Sequence, residues 1–132
     1  MRYGILGLCA LVLVNSAFAG FKWEAATGYT STDGVLEERL KQGLENPDAL
    51  RLMNEAADKY FNRSKEEDAR KTFREVIRRY PASLLAPEAS YQIGNIRVQQ
   101  GKIDKAFEAY GLIIEQYPNY ADFDKLLGEM FN

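Results

Sequence analysis

The sequence predicts an all-α solenoid of stacked helical hairpins, and three observations carry that prediction. Ala69, Phe73, Val76, Ile77, Tyr80 and Pro81 recur as Ala106, Tyr110, Ile113, Ile114, Tyr117 and Pro118, each displaced by the interval that separates Pro81 from Pro118. Inside both stretches the apolar positions fall three and four residues apart, the spacing of one helix face. Prolines at 47, 81, 87 and 118 open or close segments, because proline is welcome at the first helical position and disfavours helix in the residue before it. A unit of this period cannot bury its apolar face alone and must stack on neighbours, so the architecture offers a surface more than an enclosed chamber. Function is therefore expected to be binding and not chemistry.

The elements follow in order. Arg2, an apolar run from Ile5 to Val14, and the small residues Ala17 and Ala19 predict a signal peptide over 1–19, cleaved after Ala19. A spanning helix needs ~20 apolar residues, about twice that run. Cys9 is the only cysteine of the 132 residues, so an exported mature chain would have to hold itself together by packing, without disulfides. Leu8 in front of Cys9 argues against lipid attachment there. Residues 20–34, rich in Gly, Thr, Ser and Asp, predict a flexible, irregular leader in which Phe21 and Trp23 stand out. A first helix is expected from Asp33 as N-cap, with Leu36, Leu40 and Leu44 on one stripe and Asn46-Pro47 ending it. The same dipeptide opens a second helix through about Asn62. Ser64 and Glu67 predict a capping box at the start of a third helix, which Pro81 closes. Ala86-Pro87 opens a fourth, ending near Gly101, and a fifth runs from about Ile103 to Tyr117. Residues 121–131 are expected to be helical by the spacing of Phe123, Leu127 and Phe131.

The helix pairs over 48–81 and 87–118 resemble tetratricopeptide repeats. In that family the first helix of each pair carries a small residue where its partner crosses, and the second carries an alanine, an aromatic and a closing proline. Ala57 and Gly94 match the first feature; Ala69 and Ala106, Phe73 and Tyr110, Pro81 and Pro118 match the second. Gly128 follows Pro118 at the family interval and implies a partial third repeat over 121–132, about two and a half repeats in a domain spanning 35–132. Extra chain between Pro81 and Gly94, with the phrasing RRYPASLLAPEASYQIG, is similar to the subfamily found in outer-membrane assembly lipoproteins and in periplasmic repeat proteins of cell division. The resemblance implies that the first helix of each pair lines a concave groove, and places Asn54, Asp58, Phe61 and Asn62, then Tyr91, Asn95, Val98 and Gln99, on it. Amide donors mixed with aromatic faces suit an extended or helical peptide.

Other surfaces invite other readings. Arg70, Arg74 and Arg78, flanked by Lys71 and Arg79, form a basic stripe on the third helix, and Glu66, Glu67 and Glu75 stand where they would pair with Arg70, Lys71 and Arg79 at i,i+4. With 17 basic and 19 acidic residues the net charge is −2, and no field draws the chain toward nucleic acid. The absence of histidine, and of cysteine after cleavage, removes the commonest general base, thiol nucleophile and transition-metal ligands, so no enzyme activity, cofactor or metal is expected. The expected function is an exported scaffold of the cell envelope that takes a protein or peptide partner in its groove. It would reach a membrane only through that partner. The alternative is a structural subunit. Phe123, Leu126, Leu127, Met130 and Phe131 are more apolar surface than one terminal helix can bury, which predicts self-association, assembly on another subunit, or a longer parent chain.

Overall fold

A computed structural model describes residues 20–118 and Gly128. The segments expected to be a signal peptide and a partial third repeat lie outside the described residues, apart from Gly128, which is helical.

The segment read as an irregular leader is instead a β-hairpin. Strands β1 (Phe21–Glu24) and β2 (Gly28–Ser31) pair antiparallel, with Trp23 opposite Tyr29. Side chains alternate, so Phe21, Trp23 and Tyr29 are buried on one face while Lys22 is exposed. An isolated two-stranded hairpin is marginal in water; three buried aromatics give this one a packed underside. At the turn the Thr27 N–H donates to the Glu24 carbonyl at 3.2 Å, and Gly28 takes the left-handed φ of 78° that a three-residue hairpin loop requires.

Helix α1 (Val35–Lys41) begins one residue later than expected, at Gly34, with Asp33 Oδ1 accepting from the Val35 N–H at 3.1 Å. It also stops earlier. Gly43, at φ 75°, turns the chain while the Gly43 and Leu44 amides donate to the Leu40 and Arg39 carbonyls. That is the glycine-terminated helix end, and it leaves Leu44 exposed instead of on the buried stripe of Leu36. Helix α2 (Pro47–Ala57) starts as read, with Asn46 accepting from the Asp48 amide at 2.8 Å. It runs on into a π-helical turn over Asp58–Asn62.

The capping box at Ser64 does not form. Ser64 has φ 52°, the only positive value at a non-glycine among the described residues, and makes no cap bond to α3 (Glu66–Arg79). Its repeat counterpart is Gly101, at φ 77°. Both residues occupy the left-handed position that turns the chain from the first helix of a pair into the second, so Ser64 ends a helix where the sequence reading had it begin one. Helices α4 (Ala86–Gln99) and α5 (Ile103–Gln116) complete the second pair, with Pro87 in the first turn of α4.

Successive helices pack on one another from α2 to α5, around a core that includes Met53, Phe73, Val76, Leu85, Ile96 and Ile113, all fully buried. The predicted packing residues Ala57, Ala69, Ala106 and Tyr110 are buried with them. Pro81 and Pro118 are exposed beyond the helix ends they were expected to close. Helix α4 is covered on nearly every side, which its small residues Ala86, Ala89, Ser90 and Gly94 permit. A Cβ at Gly94 would sit 2.2 Å from the Tyr110 ring. The extra chain between the pairs is pinned by Glu45, whose buried carboxylate accepts from the Ser83 hydroxyl and, at 3.1 Å, from the Leu84 amide.

Candidate functional site

The β-hairpin lies across the helix face that was expected to be open. Asn54 on α2 accepts the Tyr29 N–H at 2.7 Å, and Phe61 stacks on Trp23 with ring centroids 5.4 Å apart. The Ser31 amide, the next outward N–H of β2, goes to Glu37 at 3.0 Å, so side chains close that strand edge. From α4, the Glu88 carboxylate lies near the Tyr29 hydroxyl; burial first, and then that negative charge, push the phenol well above its ordinary range. The hairpin therefore touches the first helix of both pairs.

This changes the assignment of the predicted groove residues. Asn54 holds the hairpin. Tyr91 is buried, 6.0 Å from the Tyr110 ring, and belongs to the core. Asp58 accepts from the Asn62 amide at 2.8 Å and faces Arg63 at 3.8 Å. Phe61, Asn95 and Gln99 do come together, in a cavity of about 330 Å³ whose remaining lining is Tyr60, Ser64, Glu66 and Gln92. Val98 is exposed and is not part of that lining.

Two backbone irregularities build this cavity. The π-helical turn widens the end of the helix with no residue inserted, so the Lys65 amide reaches back to the Lys59 carbonyl, whereas the equivalent Lys102 amide reaches only to Arg97. It delivers Tyr60 and Phe61 side by side, ring centroids 4.7 Å apart, and the left-handed Ser64 brings Glu66 in behind them. Wide helical turns and strained residues of this kind recur at functional sites. The facing wall is a fixed relay of amides. The Tyr110 hydroxyl donates to Asn95 Oδ1 at 2.7 Å, Asn95 Nδ2 donates to Gln92 Oε1 at 3.4 Å, and Gln92 Nε2 donates to Glu88 at 3.0 Å. Asn95 is half-buried, and Gln99 at the rim is exposed. The Tyr60 phenol is pushed up to about 12, by burial and then by Glu66, so it serves as a hydrogen-bond donor at any physiological pH.

Sequence reasoning missed Tyr60, Ser64, Glu66 and Gln92. The signal available for Ser64 was the repeat itself, since the same register places it at the position of Gly101.

The basic stripe is partly neutralised on its own helix, at Arg70 and Arg78. Arg70 donates to Glu67 at 3.0 Å and Arg78 to Glu75 at 3.0 Å, both at i,i+3 and not in the i,i+4 pairs expected. A larger cavity, about 370 Å³, opens among the hairpin, the start of α1, the connection around Pro81 to Pro87 and the end of α5. None of the predicted groove residues lines it.

The tetratricopeptide repeat family profile matches residues 40–83 and 88–120, more than half of the chain and the same segments that form the two helical hairpins. The chain belongs to the tetratricopeptide repeat family. Comparison with curated proteins and with solved structures finds no match. Repeats of this family indicate a protein-interaction scaffold. Among the described residues no group of three or more His, Cys, Asp or Glu side chains could hold a metal ion, and no helix is long and apolar enough to cross a membrane.

Proposed function

We propose that this tetratricopeptide repeat protein is an exported scaffold of the cell envelope, cleaved after Ala19, that binds an extended peptide segment of a partner in the cavity beside Phe61. A part in outer-membrane protein assembly belongs to the same proposal, from the resemblance of the connection at 81–87. The observation that carries peptide binding is the meeting of an aromatic pair, Tyr60 and Phe61, with pre-oriented amides at Gln92 and Asn95 in one open cavity. Amides fixed by their neighbours can pair with a peptide backbone without first being ordered, which lowers the entropic cost of binding. The rings offer an apolar anchor.

The test is selection from a displayed library of random heptapeptides on the full chain, with Phe61→Ala/Gln99→Ala as the counter-target. Peptides that bind the natural sequence and lose the double variant support the groove. Recovery of the same peptides on both would remove it. Export is checked separately: the protein isolated from its source should begin at Gly20, and an intact Met1 would contradict the cleavage.

A further inference from the structure

The groove contains one carboxylate that no ion pair among the described residues neutralises. Glu66 lines the cavity beside Tyr60 and Phe61, and no ion pair reaches it among the described residues. The cations around it are committed elsewhere. Lys59 pairs with Glu55 at 3.3 Å and donates to Thr72; Arg63 faces Asp58; Arg70 is held by Glu67; Arg97 donates to Gln100 at 3.1 Å. Lys65 is exposed and outside the lining. The start of α3 offers a favourable dipole to Glu66, Glu67 and Asp68 alike, but that does not account for an aromatic pair beside one of the three. A carboxylate in a cavity lined by two aromatic side chains and neutral amides, and lacking any lysine or arginine, matches the requirements of an ammonium or guanidinium group: a counter-charge at its tip and an aromatic wall along its flank.

We propose that this cavity receives the cationic side chain of a lysine or arginine carried by the bound peptide, with Glu66 as its counter-ion, Tyr60 and Phe61 as its platform, and Gln92, Asn95 and Gln99 on the flanking backbone. The inference rests on the cavity being a peptide-binding groove. It adds the charge of the residue that enters.

The test uses the heptapeptides recovered by the library selection and measures their affinity for the full chain and for Glu66→Gln. Peptides should share a lysine or arginine at one fixed position. Replacing that residue by methionine, or Glu66 by glutamine, should each weaken binding about tenfold, with little further loss when both changes are combined. Glu66→Gln should melt with the natural chain, which separates lost recognition from lost folding. Peptides that bind through Phe61 and Gln99 but carry no fixed cation, or that bind Glu66→Gln equally well, would overturn the cation and leave the groove standing. A selection that yields nothing dependent on Phe61 and Gln99 would overturn both.

Discussion

Gly94 shows how a single hydrogen in place of a methyl sets the packing of the second hairpin. The Tyr110 ring lies where a Cβ would be, with ring atoms 2.2 to 2.7 Å from that position, and its hydroxyl is tied to Asn95, so the ring has little freedom to give way. Gly94→Ala is therefore expected to destabilise the fold by about 1–3 kcal/mol, although alanine is the better helix former, and a lowered thermal midpoint checks it. Ser64 presents the reverse case. A side chain in the left-handed region is strained by roughly 1–2 kcal/mol, and glycine returns part of that gain as unfolded-state entropy. Ser64→Gly should raise stability by about 0.5–1 kcal/mol. A loss of stability would mean that the hydroxyl makes up for the strain.

The helices were legible in the sequence because each carries its own signals: Asn46-Pro47 and Ala86-Pro87 at the starts, and a shared register of Ala69 with Ala106 and Phe73 with Tyr110. The hairpin was not, because its signal is short. Phe21-Lys22-Trp23-Glu24 does alternate, but four residues beside a Gly/Thr/Ser-rich stretch read equally well as a loop, and the stabilising contacts come from α2 and α4, remote in sequence. The same remoteness explains the groove. Family register placed Asn54 and Tyr91 toward a ligand, while the hairpin claims Asn54 and the core claims Tyr91. Asn54→Ala removes the acceptor of the Tyr29 amide and should destabilise the hairpin by about 1–3 kcal/mol, read as faster hydrogen exchange over residues 21–31; Asn54→Asp, which keeps the acceptor, should restore most of the protection. Between α3 and α4, Glu67 accepts from Arg70 and also from Gln100 at 3.1 Å, and Arg70 and then Gln100 hold its carboxyl at about 2 instead of 4.5. A carboxylate depressed on folding contributes stability above its unfolded value and loses it as pH falls through the folded one. The thermal midpoint of the natural chain should therefore fall more steeply than that of Glu67→Gln between pH 4.5 and about 2.

At the scale of the whole molecule, the described residues form two stacked helical hairpins, and the β-hairpin covers part of their inner face and leaves the Phe61–Gln99 cavity as the open remainder. The competing surface is α3, where Arg74 and Arg78 are exposed. The most direct test is amide hydrogen exchange of the full chain with and without a selected peptide. Peptide bound in the groove should add protection over residues 60–66 and 92–99, with residues 21–31 unchanged because the hairpin stays seated. Protection confined to the α3 segment around Arg74 and Arg78, or loss of protection across the hairpin as the peptide displaces it, would contradict the account.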